Sequence, residues 1–214
     1  MTYPAWTGLA TQYGRNYSSS VLVEQCEIDG FAVAAMVKPN GDGNGDFVRV
    51  RDCDLGSCVY GVAVGHGQSR NVELRNLIVN SVHSVLTGTR FGAGIGKFSG
   101  PIDNITIGGS YQIVHGMNLG YSGPLVLRNV YCENVVRIGN FVGGSSFPAP
   151  VELHACELNF GNSLHGQIPA SLITLGSAQT FVVRNSSIYG NSRLTTLIKG
   201  GERLVWENSI YQSA

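Results

Sequence analysis

Along the chain one short phrase keeps returning: apolar, variable, apolar, polar, often followed by Asn, Asp or Gln. Its copies begin at Val21, Val48, Val72, Ile105, Leu125, Val151, Phe181 and Leu204, at spacings of 27, 24, 33, 20, 26, 30 and 23 residues. Period-two alternation predicts a strand whose first and third places share a face. A short polar turn follows each phrase, then a second apolar piece such as Ile28, Leu55, Leu158 or Ile188. A third piece comes next, for example at 31–33, 60–64, 135–138 or 172–175, before a Gly-rich connection to the next phrase. Three short strands per repeat of 20 to 33 residues predict one coil of a solenoid.

Two other architectures fit less well. Leucine-rich repeats share the period but need Leu at fixed places and a helical segment, whereas the apolar set here is rich in Val and Ile. An antiparallel sandwich would show tight two-residue hairpins. Like phrases recurring at one coil length suit parallel stacking instead. The residue after the phrase is Gln25, Asp52, Asn76, Asn129, Asn185 or Asn208 in six copies, with Gly109 and Ala155 breaking the series. Asn tolerates left-handed backbone and bonds its own turn, so stacked coils predict a ladder of side-chain amides.

The coil pattern and the Asn series resemble the right-handed parallel β-helix of the pectin-lyase-like superfamily, which includes polysaccharide lyases, polygalacturonases and the trimeric spikes of bacteriophages. The resemblance spans roughly residues 18–211. It implies an all-β fold, a right-handed parallel β-helix of about eight coils with three short strands each. The expected organisation is an extended, aromatic-bearing arm over 1–17 and the β-helix domain over 18–214.

Composition narrows the partners. Lys and Arg number 14 against 14 Asp and Glu, and 13% of residues are charged, where about 25% is usual. Such a surface lacks the basic excess that nucleic acid requires. Hydrophobic content of 43% excludes wholesale disorder, and no apolar run is long enough for a membrane span. The first ten residues lack the charged and apolar regions of a signal peptide. Cys26, Cys53 and Cys156 share the place after the turn, while Cys58 and Cys132 lie elsewhere. The spacing is not that of a zinc site, so the expectation is buried free thiols, with a disulfide or a metal as the alternative. Reduced thiols fit assembly in a cytoplasm.

Four groups of residues are candidates for chemistry. Gly65-His66-Gly67-Gln68-Ser69 resembles the Gly-His-Gly element of polygalacturonases, which implies catalysis by His66 with Asp29 from the earlier coil. That family's paired aspartates and its Arg-Ile-Lys element are missing, and glycoside hydrolysis needs two carboxyls. An exposed loop histidine accounts for the same residues. The stretch Asn40-Gly-Asp42-Gly-Asn44-Gly-Asp46 alternates oxygen ligands as a calcium loop does, which makes Asp42, Asn44 and Asp46 the calcium candidates. Arg51 stands where an EF-hand places its bidentate Glu, and a Gly-rich polar turn explains the loop equally. No other cofactor is expected. His83, His115 and Arg137 fall on the third strand piece of consecutive coils and are expected to line one face. The fourth place of the phrase reads Glu24, Arg51, Arg75, Gly108, Arg128, His154, Arg184, Glu207. This mainly basic row, with Arg51, Arg75, Arg128 and Arg184, suits an anionic glycan or an acidic neighbouring subunit, unless nearby acids compensate it.

The second place of the phrase should point outward, yet Val182 and Val205 are apolar and stack on adjacent coils. They are the expected subunit interface of a homotrimer. Neither end shows the capping element that a solenoid needs. The absence of carboxylate pairs, of caps and of a signal peptide favours a non-enzymatic structural or attachment protein of a virion, such as a capsid decoration or tail-spike module. Other virion subunits and surface polysaccharide would then be its partners. The alternative is an extracellular carbohydrate-active enzyme, a lyase or a polygalacturonase-like hydrolase.

Overall fold

The computed structural model describes residues 7–10, 21–37, 47–64, 72–87, 100–115, 124–141, 150–161, 171–190, 194 and 196–213. His66 and the calcium candidates Asp42, Asn44 and Asp46 lie outside the described residues.

The described residues form an all-β structure without helix, in which a parallel sheet winds into a β-solenoid. Four strands each run unbroken through a whole coil: β5 (Arg49–Val64), β6 (Glu73–Thr87), β7 (Gly100–His115) and β8 (Leu125–Asn140). Before them come β1 (Thr7–Ala10), β2 (Leu22–Glu24), β3 (Glu27–Asp29) and β4 (Val33–Val37). After them come β9 (Val151–His154), β10 (Glu157–Phe160), β11 (Ile173–Thr174), β12 (Thr180–Arg184) and β13 (Ser187–Gly190). The series ends with β14 (Ile198–Lys199), β15 (Arg203–Glu207) and β16 (Ile210–Ser213). Every pairing is parallel; β1, from the N-terminal arm, pairs with β4.

The solenoid has about five turns rather than the eight coils expected. The phrases at the C-terminal end do stack, but their third face dwindles. It is two residues in β11 and again in β14, and no strand follows β16 among the described residues.

Columns of like residues make the core. Val23, Val50, Leu74, Ile102, Leu127, Leu153, Val183 and Trp206 stack in register on the first face. Ile28, Leu55, Val79, Ile107, Cys132, Leu158, Ile188 and Tyr211 do so on the second. Alternation puts these residues inside, except Tyr211 on the last rung, which is exposed; neighbouring rungs are ~4.8 Å apart, so the branched side chains pack on their equivalents above and below.

The register corrects one phrase. Arg75 pairs with Asp103 rather than with Gly108, so the fourth copy begins five residues earlier than the alternation suggests. Gly100 and Pro101 fill its first two places and hide it, whereas Ile105-Thr106-Ile107 belongs to the next face. The turn residue of that coil is therefore Asn104. All eight turn residues are left-handed, Gln25, Asp52, Asn76, Asn104, Asn129, Ala155, Asn185 and Asn208, with φ from 46 to 56 degrees. The expected ladder is present: Asn76 Nδ2 donates to Asp52 Oδ1 at 2.7 Å, and Asn104 Nδ2 donates to Asn76 Oδ1 at 2.8 Å. At the next rung Asn129 turns to Asp103 Oδ1, at 3.1 Å.

Candidate functional site

The fourth-place row is built on the outward side of the first face, next to the turn ladder. With the corrected register Asp103 stands in its middle. Arg51 meets Glu24 at 2.7 Å and Arg184 meets Glu207 at 2.7 Å, each across one coil. Arg75 meets Glu73 at 3.2 Å and Asp103 at 3.7 Å, and Arg128 meets the same Asp103 at 3.5 Å. His154 lies 2.7 Å from Glu152. Each of the four arginines thus faces a carboxylate of its own chain. These pairs are solvent-exposed and worth about 0–1 kcal/mol apiece. Their collective effect is to cancel the charge of the row.

Chemistry of a different kind gathers on the third face. There Tyr60, Ser84, Gln112 and Arg137 occupy one register row. Ala63, Thr87, His115 and Asn140 occupy another. The first row is polar where an ordinary core strand would be apolar. Of the three residues expected here, His83 and His115 meet each other, and Arg137 joins them through Tyr111. The His83 and His115 rings meet edge to face at 4.8 Å, and His83 also touches Tyr60 at 5.0 Å and Tyr111 at 5.9 Å. Gln112 places its amide nitrogen 2.7 Å from His115 Nδ1. Arg137 lies half-buried between Val135 and Ile138, which belong to the core. It donates to Gly139 O at 2.9 Å and to Thr174 Oγ1 at 3.0 Å. Burial lowers the guanidinium pKa, opposed by its hydrogen bond with Tyr111.

Some groups on this face have no partner among the described residues: Ser84 Oγ, Thr87 Oγ1 and Arg137 Nε, all buried. A buried polar group left unmatched costs about 1–3 kcal/mol. Tyr111, Gln112 and Thr174 were not singled out in the sequence. The signal for Gln112 was its register with Arg137.

The remaining candidates are scattered. Asp29 is exposed at the end of β3, against Gly56 of the next coil. Val182 is buried within the chain, 6% exposed, and Val205, its neighbour one rung on, is half-buried. The largest exposed apolar groups near the C-terminal rung are Leu204, Ile210 and Tyr211. All five cysteines are free thiols, Cys26 half-buried and the others buried. Desolvation pushes Cys132 up to about 12 and raises Cys53, Cys58 and Cys156.

A shallow groove of about 380 Å³ runs along the second corner, lined by Glu133, Asn134, Asn159, Phe160, Gly161, Tyr189 and Gly190. Glu133 is its one acid, and it accepts a hydrogen bond from Tyr131. Among the described residues no group of three or more His, Cys, Asp or Glu is placed to hold a metal ion, and no helix is long and apolar enough to cross a membrane. Comparison with protein-family models, with curated proteins and with solved structures finds no match to this chain.

Proposed function

We propose that the chain is a non-catalytic β-solenoid module of a virus particle, serving in its structure or in attachment to a glycan-bearing surface. The observation that carries this reading is the cross-coil ladder of the first face. Its amides and charges bind one coil to the next, through Asp52–Asn76–Asn104 and through the arginine–carboxylate pairs. Carboxylates held in this way serve a stiff rod better than acid/base chemistry, which wants a free pair at a fixed separation. A rigid, elongated scaffold is what attachment and decoration ask of a protein.

A carbohydrate-active enzyme is the second reading, favoured by the groove beside Glu133. Two measurements separate them. Antibody against the chain should label particles of the virus whose genome encodes it, and the pure protein should release no reducing ends or unsaturated products from a panel of polysaccharides. Unlabelled particles together with turnover that Glu133→Gln abolishes would replace the first reading by the second.

A further inference from the structure

The distribution of acids along the chain is uneven in a way that the solenoid converts into a surface. The stretches 59–72, 81–102, 110–125, 135–151 and 159–201 contain no Asp or Glu. They hold the third strand piece of each coil from β5 onward and the connection to the next coil. Coiling therefore sends the acids of those coils to the first two faces, where Glu73, Asp103 and Glu207 meet the arginine row, and leaves none on the third strand pieces of those coils among the described residues. The described basic groups of this face are His83, His115, Arg137 and, on β14, Lys199. At neutral pH the charges described on this face are those of Arg137 and Lys199, with no described acid on the face to offset them.

Arg137 is where this matters most. It is half-buried, yet its contacts are the neutral oxygens of Gly139 and Thr174 and the hydroxyl of Tyr111, and its Nε is unmatched among the described residues. A desolvated guanidinium without a carboxylate is unusual, since buried charges are normally paired. Every arginine of the first-face row has one. Around Arg137 stand rings and hydrogen-bonding groups, Tyr111, His115 and Thr174, each half-buried and so in reach of solvent.

We infer that the third face is a binding site for an acidic saccharide, with Arg137 taking its carboxylate or sulfate and Tyr111, His115 and Thr174 taking hydroxyls and the sugar face. A guanidinium suits an anionic oxygen, and the tilted and edge-to-face rings of Tyr111, His83 and His115 offer apolar surface to a pyranose. Nucleic acid fits less well, because the chain has no net positive charge to hold a phosphate backbone. This inference rests on the attachment reading and locates it.

The test is calorimetric titration of the full chain with short uronate oligomers, with dextran sulfate fragments, with neutral dextran and with duplex DNA. The expected result is saturable binding of the uronate or sulfated oligomers, weakened by salt, with neutral dextran and DNA inert. The uronate and sulfate arms tell which anion is preferred. Arg137→Gln should weaken binding about tenfold or more, as loss of a charged hydrogen-bonding partner does, whereas Arg128→Gln should leave it unchanged. If Arg137→Gln fails to fold by circular dichroism, Tyr111→Phe replaces it and should weaken binding severalfold with the fold intact. Equal loss in Arg128→Gln, unchanged affinity in the Arg137 and Tyr111 variants, preference for DNA, or no anion binding would each overturn the site. Binding of a neutral glycan that ignores Arg137 would overturn it while leaving the attachment reading standing.

Discussion

Gly139 is where the solenoid's tight stacking meets a specific side-chain limit. It sits on β8 in register with Val114 of the preceding coil and Ile173 of the following one. A Cβ added there would overlap the backbone oxygen of Val114 and come within 3.1 Å of Phe141 Cζ. Neither neighbour can yield cheaply. The carbonyl is part of a rung, and the other side is pinned by Ile138 N donating to Leu172 O at 2.7 Å. Gly139→Ala must therefore push two coils apart or tilt a strand. Overpacking of this kind costs about 1–3 kcal/mol, and a backbone neighbour places it in the upper half. Restricting the unfolded chain returns about 0.4–1 kcal/mol. The net is a loss of about 1–2 kcal/mol. With a urea slope of about 2–3 kcal/mol/M for a protein of this size, the midpoint should fall by about 0.5 M. Gly108→Ala is the control. Its new Cβ would overlap Asn80 Oδ1, the end of an exposed side chain that can swing away. Its midpoint should move by no more than an exposed substitution does, about 0.5 kcal/mol in stability. Equal midpoint shifts for the two alanines would refute the argument that backbone stacking distance, rather than local crowding, sets the cost.

Three further outcomes follow from the same geometry. Ala155 holds φ 52 without the amide its equivalents use, so Ala155→Gly should relieve left-handed strain and stabilise by about 0.5–1 kcal/mol, seen as a melting point raised by about 2 °C. Asp103→Asn leaves Arg75 and Arg128 without their shared acid; stability should drop by about 1 kcal/mol in low salt, and the deficit should shrink as salt rises, as paired melts at two ionic strengths would show. The thiol of Cys132 ionises at about 12 when folded against 9.0 as an ordinary thiol, so its contribution is intact below pH 9 and is lost as pH rises toward 12. That loss is on the order of 4 kcal/mol at the top of the window, and Cys53, Cys58 and Cys156 act in the same direction. Urea midpoints that are flat from pH 9 to 11.5 would contradict this.

The parallel solenoid was legible because its signal is periodic twice over, at two residues within a strand and at one coil between strands. Seven of the eight phrases were found in their true register. The eighth was not, because Gly100 and Pro101 fill places where the pattern expects an apolar and a free residue. That slip of five residues had a chemical consequence. It put Gly108 where Asp103 belongs and made a neutralised ladder look like a basic stripe. The coil count was overread for a related reason, since phrases mark the first face and say nothing of how short the third has become in β11 and β14. His83, His115 and Arg137 were placed together by strand order alone. Their contacts with Tyr111, Gln112 and Thr174 depend on side-chain direction at the corners of the coil, where the alternation that guides sequence reading shifts register.

The first face spends its charges on one another, whereas Arg137 on the third face has no carboxylate. Amide chemical-shift mapping during titration with a uronate oligomer tests this division directly. The expected shifts cluster at Tyr111, Gln112, His115, Arg137 and Thr174, with Arg51, Arg75, Arg128 and Arg184 unmoved. Shifts centred on those four arginines, with the third face silent, would contradict it.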